Sequence, residues 1–206
     1  MKKAVLSKQR VRIIAGFWKS RLIDIALQPG LRPSTDRVRE TVFNWLNPYL
    51  QDAVIYDLFA GTGILGLESC SRGAKELFLI EKNQIAYQVI KDNIEKLKPF
   101  PPQSQIHCIH SNALHWLKNL DQIAAKLIFL DPPFDEPQLL LEALQVISQR
   151  LKNHNHPIIY VESSAKLDNE AILEALPHYE VKKQLVAGVV KASLLMSQTN
   201  VSSLEE

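Results

Sequence analysis

The sequence predicts an α/β protein: a mostly parallel β-sheet covered by helices on both faces, preceded by a small β-hairpin. Three observations predict it. From residue 53 onward, short apolar runs alternate with segments of helical period. A strand, a glycine-rich turn and a helix open that alternation. Residues 179–197 then carry two strand-like runs split at Gly188, with no helix between them. Repeated strand–helix units make neighbouring strands parallel, and the closing hairpin contributes one antiparallel strand. A chain of 206 residues fits one such domain with a modest appendage and can bury a sizeable core.

Residues 11–16 and 21–25 read as two short strands around a loop at 17–20. Pro29-Gly30 breaks the chain. Ser34, Thr35 and Asp36 then offer capping oxygens ahead of Val38, Val42, Trp45 and Leu46, which recur at helical spacing. Pro48 is expected to end that helix. Residues 54–59 form a buried strand, followed by a helix from Ile64 to the Arg72-Gly73 stop. Strands at 76–81, 105–109, 127–131 and 157–162 follow. Their helices are marked by Ala86, Ile90, Ile94 and Leu97, by residues 114–120, by Leu140, Leu144, Ile147 and Leu151, and by residues 171–176. The expected division is a basic hairpin extension at 1–30, a main domain at 31–198 and a frayed tail at 199–206.

Hydrophobic residues at 46% and charged residues at 22% describe an ordinary globular protein. Cys70 and Cys108 lie far apart without a Cys-x-x-Cys pair, which argues for a reducing cytoplasm and against a zinc or disulfide framework. The opening residues are too short an apolar run for a signal peptide, and no stretch has the length of a membrane helix. The net charge of +2 is unevenly spread. Residues 1–40 hold ten Lys/Arg against three Asp/Glu, and the rest holds 14 against 19. A basic end on an acidic body suits docking of a polyanion, with a solubilising tail as the alternative.

The segment Asp57-Leu58-Phe59-Ala60-Gly61-Thr62-Gly63-Ile64-Leu65-Gly66 predicts a cofactor site. Gly61 and Gly63 allow a tight turn and close backbone approach. Glu81, at the end of the next strand, is placed to accept hydrogen bonds from ribose hydroxyls. The glycine spacing fits a nicotinamide dinucleotide as well as S-adenosylmethionine. Asp57 decides between them: its carboxylate repels a pyrophosphate and attracts a sulfonium and an amino group. Asn112, just past the third core strand, suits an adenine edge, with a helix cap as the alternative.

Asp131-Pro132-Pro133-Phe134 follows the strand at 127–130, on the same rim as the glycine turn. A base amino group is a poor nucleophile because its lone pair is delocalised into the ring. The Asp131 carboxylate and the Pro132 carbonyl supply acceptors that favour a more tetrahedral nitrogen, and proline fixes their geometry. Phe134 is placed to stack on the base. In-line transfer then needs positioning and water exclusion rather than a covalent intermediate. Glu162 ends the fifth core strand as a cap, a solvated acid or a functional group. His107, His110 and His115 lack the spacing of metal ligands, and no metal is expected.

Residues 32–40 (Arg32-Pro33-Ser34-Thr35-Asp36-Arg37-Val38-Arg39-Glu40) with Phe43-Asn44-Trp45-Leu46 resemble the helix that precedes the core in the RsmD family of bacterial guanine-N2 methyltransferases. Residues 12–16, 57–66, 71–74 and 131–134 resemble that family as well, so the resemblance spans roughly 11–197. It implies a Rossmann-like, seven-stranded methyltransferase sheet with an N-terminal hairpin. Asp57, Phe59, Gly61, Gly63, Glu81 and Asn112 would then hold S-adenosylmethionine, and Asp131, Pro132, Pro133 and Phe134 the guanine. The family more often has Asp at the position of Asn112 and Thr at that of Ser34. The implied substrate is 16S ribosomal RNA in an assembled or nearly assembled 30S subunit. The basic end offers it Arg10, Arg12, Lys19 and Arg21, and Arg32, Arg37 and Arg39 are placed to contact phosphate or the closing active site. A helix-surface salt network is the alternative for the last three. The expected enzyme is a monomer. The competing readings are an amino methyltransferase acting on adenine N6 in DNA, a nicotinamide-dependent oxidoreductase and a non-catalytic ribosome assembly factor.

Overall fold

The computed structural model describes residues 9–25, 36–102, 104–151 and 156–198. β1 (Arg10–Arg12) and β2 (Leu22–Asp24) pair antiparallel, with Val11 opposite Ile23. The main sheet contains β3 (Val54–Asp57), β4 (Glu76–Glu81), β5 (Gln105–His110), β6 (Leu127–Leu130), β7 (Ile158–Ser164), β8 (Tyr179–Ala187) and β9 (Val190–Ser197). Their order is β5-β4-β3-β6-β7-β9-β8, and β9 runs antiparallel to both neighbours. The expected seven-stranded sheet with one antiparallel strand is therefore what forms. The expected helices form too: α1 (Asp36–Leu50), α2 (Ile64–Ser71), α3 (Gln84–Lys96), α4 (Ala113–Lys118), α5 (Pro137–Arg150) and α6 (Asn169–Ala175).

Each face of the sheet has its own apolar cluster. One joins Ile55, Leu77, Phe129 and Tyr160 to α1, α2, α3 and the hairpin. The other joins Ile80, Ile128, Leu130 and Val161 to α4, α5 and α6. Alternate residues of a strand point to opposite faces, so Asp57, Phe129 and Tyr160, which are in register across β3, β6 and β7, share the first face.

Two expectations need correction. Pro48 lies inside α1, which continues to Leu50 before Asp52 turns the chain at φ 54°. Pro48 and Asn44 are both exposed, so the missing N–H and the clash four residues back fall on the solvent side, near the helix end. The hairpin strands are only three residues each, because Ile14 and Ala15 give their N–H groups to Glu68 of α2 instead of a ladder, at 2.7 and 3.0 Å.

The hairpin is packed, not pendant. Val11, Ile13, Trp18 and Ile23 belong to the first apolar cluster. Trp18 is buried edge-on against Phe100, and its indole N–H donates to the Pro99 carbonyl at 3.1 Å. Asn93 of α3 is fully buried and clamps Asp24, accepting from its N–H at 2.9 Å and donating to its carbonyl at 2.8 Å. Residues 26–35, with Pro29-Gly30, Arg32, Ser34 and Thr35, and the tail at 199–206 lie outside the described residues.

Candidate active site

From β3 the chain adds β4 and β5 on one side, then returns to lay β6 and β7 on the other. Such a reversal opens a crevice at the carboxyl ends of the strands, where open α/β sheets bind ligands. The glycine turn follows β3 and the Asp-Pro-Pro-Phe segment follows β6, so the two motifs flank that crevice. The strands stay joined at its floor, Leu58 N–H donating to the Phe129 carbonyl at 3.2 Å.

On the β3–β4 side, backbone donors hold the carboxylates. Glu81 accepts from Gly61 N–H at 2.8 Å through one oxygen and from Asn83 N–H at 2.7 Å through the other. It is largely buried, yet each oxygen keeps a lone pair for a ribose hydroxyl. Asp57 lies beneath the turn and accepts from Gly66 N–H at 3.1 Å. Burial pushes its carboxyl up to about 7, with Gly66 N–H working against that and Glu81 adding to it. Its attraction for a cation thus acts from under the loop. Gly63 starts α2 at φ 75° with no side-chain cap. At Gly66 a Cβ would stand 2.7 Å from Leu79, so glycine is what lets α2 sit on the sheet. Phe59 is partly exposed above the strand end. Asn112 caps α4, accepting from His115 N–H at 3.1 Å, which is the cap alternative of the sequence reading; its amide NH2 and second lone pair remain for an adenine edge. These residues fit a cationic donor carrying a ribose.

On the β6–β7 side the acids stand at the ends of neighbouring strands. Asp131 is partly exposed, and its carboxyl is held well above the usual range by burial first, then by the charges of Glu162 and Asp57. Pro132 is buried, Pro133 exposed and Phe134 half-exposed. Tyr160 Oη donates to a Glu162 oxygen at 2.7 Å, with both side chains buried. Among the described residues no three His, Cys, Asp or Glu side chains converge as metal ligands do. A cleft of about 340 Å³ lined by Phe17, Gln51, Arg72, Lys75 and Pro101 opens at the other end of the sheet and holds none of these groups.

The basic residues are dispersed. Arg10 pairs with Asp24 at 3.0 Å and Arg12 with Asp36 at 2.9 Å, both arginines remaining more than half exposed. Lys19 and Arg37 are exposed. Arg21 donates to the Lys96 and Leu97 carbonyls at the end of α3, away from the rim. Arg39 corrects an expectation: it is 1% exposed and cannot reach a phosphate from there. It donates to the Arg12 carbonyl at 2.9 Å and to Asp36 at 2.8 Å, binding hairpin to α1. Glu68, which sequence reasoning missed, performs the matching task on α2 and also accepts from Arg72 at 2.8 Å. Its signal was an acid in a helix whose other residues are apolar or small.

Fold and rim together define a methyltransferase. A model of the family described as "Conserved hypothetical protein 95" matches residues 11–195. Ribosomal RNA small subunit methyltransferase D of Escherichia coli K12 is 36% identical over 195 residues, covering 94% of this chain and 93% of that protein. Its Haemophilus influenzae counterpart is 34% identical over 189 residues, covering 91% and 94%. The solved structure of the Escherichia coli protein yhhF is 35% identical, with a TM-score of 0.76 and coverage of 92% and 98%. A Thermus thermophilus 16S rRNA N2 G1207 methyltransferase, solved with AdoMet and guanosine, shares the fold at 16% identity and a TM-score of 0.67, covering 92% of this chain and 50% of that one. The chain belongs to the Conserved hypothetical protein 95 family, the RsmD methyltransferases.

Proposed function

We propose that the enzyme transfers a methyl group from S-adenosylmethionine to the exocyclic N2 amino group of a guanine in 16S ribosomal RNA. One observation carries this reading: Asp131-Pro132-Pro133-Phe134 stands across the switch-point crevice from a glycine turn backed by Asp57 and Glu81. Glu81 holds the donor's ribose, Asp57 favours its positive charge, Phe59, Gly61 and Gly63 shape its seat, and Asn112 meets its adenine. When bound, the donor supplies an electrophilic methyl on a sulfonium. Asp131 and the Pro132 carbonyl accept hydrogen bonds from the two amine N–H groups, Pro133 stiffens the turn and Phe134 stacks on the base, which a paired target presents by flipping out.

RNA is preferred to DNA because the relatives matched over more than nine-tenths of the chain are named as ribosomal RNA methyltransferases. The substrate is the 30S subunit, assembled or nearly so, and the enzyme acts as a cytoplasmic monomer. Residues 1–30 serve as the docking extension to the methyltransferase domain at 31–198. Arg10, Arg12, Lys19 and Arg37 supply exposed charge, with Arg32 beside them in sequence, while Arg21 and Arg39 hold the surface in place. The test is transfer of labelled methyl to unmodified small subunits, free ribosomal RNA and duplex DNA across a salt series. Label on subunits, with affinity falling steeply in salt, supports the reading. Comparable label on DNA, or salt-insensitive affinity, contradicts it.

A further inference from the structure

The amine-methylation reading leaves one buried group unused. Glu162 ends the sheet face that carries Asp57. Leu130, the last residue of β6, is in register with Val161, so Asp131 just past that strand end and Glu162 on β7 come next along the two parallel chains. Asp57 is in register with Phe129 one strand further on. Three carboxyl groups therefore come from three adjacent chain segments at the crevice, Asp57 and Glu162 from one sheet face. Tyr160, two residues before Glu162 and on that face too, fixes the glutamate through its hydroxyl at 2.7 Å. Tyr160 is itself held edge-on against Phe129, with ring centroids 5.6 Å apart.

We propose that Glu162, oriented by Tyr160, is a positioning residue that shares one proton with Asp131, so that the pair takes up the proton the amine must lose. The proposal rests on the amine reading above. Two like charges at neighbouring strand ends, one of them on the buried Glu162, do not both ionise cheaply, so one proton between the two carboxyls is the lower-energy arrangement. The step balances. The amine lone pair forms the N–C bond, the S–C electron pair stays on sulfur, and the N–H pair returns to nitrogen as the proton moves to the carboxylate. Before transfer the crevice holds one negative carboxyl pair and one positive sulfonium. Afterwards it holds a fully protonated pair and a neutral thioether. The net charge in the low-dielectric crevice is unchanged, so no charge is stranded there by the reaction.

Among the described residues, each element packed against this pair brings its own groups. Asp57 comes from β3 and Tyr160 from β7 itself, while β9 presents Ala192 opposite Glu162 and Leu194 opposite Tyr160. On α1 and α2, Arg39 and Asp36 are engaged with each other, and Glu68 with the hairpin and Arg72. Lys191 lies opposite Ser163, on the other face, and donates to Leu167 and Asn169.

The experiment has two readouts on the full chain, with wild type, Glu162→Gln and Tyr160→Phe compared at equal thermal stability. The first is the infrared spectrum of the protein alone near neutral pH. With Asp57→Asn as the common background, so that the Asp57 carboxyl does not contribute, a protonated-carboxyl band that shifts in heavy water and is lost on adding Glu162→Gln is expected; its absence from that background would overturn the proposal whatever the substrate turns out to be. The second is single-turnover transfer to unmodified small subunits at saturating S-adenosylmethionine, across pH. In Glu162→Gln the maximal rate should fall roughly 10- to 100-fold. The acid limb should move up by about one pH unit, because Asp131 loses the shared proton that stabilises its ionised form. Tyr160→Phe should lie between. A limb that stays in place while the rate falls means a purely structural role and overturns the proposal. If wild type labels no nucleic acid, the amine reading fails, and the infrared band still decides whether the pair shares a proton.

Discussion

The two sides of the crevice hold their carboxylates by different means. On the β3–β4 side each acid is met by backbone N–H groups, two for Glu81 and one for Asp57. On the β6–β7 side Glu162 is met by a tyrosine, Asp131 stands at the neighbouring strand end, and burial dominates. Backbone donors fix the acids of the first side in place before the ligand arrives. The crowded second side has its protonation set by neighbours and can change during reaction. On the proposed function, binding and chemistry are thus separated across the switch point, one to each flank.

The largest effect should break the chemical side alone. Asp131→Ala removes an acceptor from the reacting amine, and transfer should drop roughly 10²- to 10³-fold. Donor affinity by calorimetry should hardly change. A comparable loss of donor affinity would show that the flanks are not separable. The converse variant, Glu81→Ala, should weaken donor binding by about 10- to 100-fold, the cost of losing charged hydrogen bonds, and keep most of the rate at saturating donor.

Asp57 sharpens the contrast through pH. Its carboxyl, pushed up to about 7 by burial, is protonated in the donor-free protein over a range in which the unfolded chain is already ionised. The stability it contributes is therefore full below the unfolded value of 3.8 and lost as pH rises through about 7. A cationic donor favours the ionised form, so its binding should release a proton below that pH and weaken as pH falls. Calorimetry in buffers of different ionisation enthalpy reads that proton directly. Asp57→Asn should abolish the dependence, and a dependence that survives would assign it to another group. The smallest effect belongs to the scaffold: Asn93→Ala frees both backbone groups of Asp24 and should cost about 1–3 kcal/mol, read as a lower Tm with donor affinity unchanged.

Much of this was legible in the sequence, because each core strand is a short apolar run closed by glycine, proline or a capping residue. The glycine turn and the Asp-Pro-Pro-Phe segment could be placed on one rim from strand polarity alone. The partnership of Asp131 with Glu162 could not, since it depends on β6 lying beside β7 in a fixed register. Arg39 was misread as a surface contact because its charge outweighed its position. With Val42, Phe43, Leu46 and Leu50 it completes a helical stripe, and that spacing was the available sign of burial. Glu81 and Asn112 were read for their ligands, whereas backbone groups already occupy part of their hydrogen-bonding capacity.

The most direct test of the central claim is the identity of the methylated nucleoside. Unmodified small subunits would be labelled by the enzyme, digested to nucleosides and separated by chromatography with mass detection. The account predicts N2-methylguanosine, lost with Asp131→Ala and retained, at raised donor concentration, with Glu81→Ala. Label on N6-methyladenosine, or transfer that survives Asp131→Ala, would contradict it.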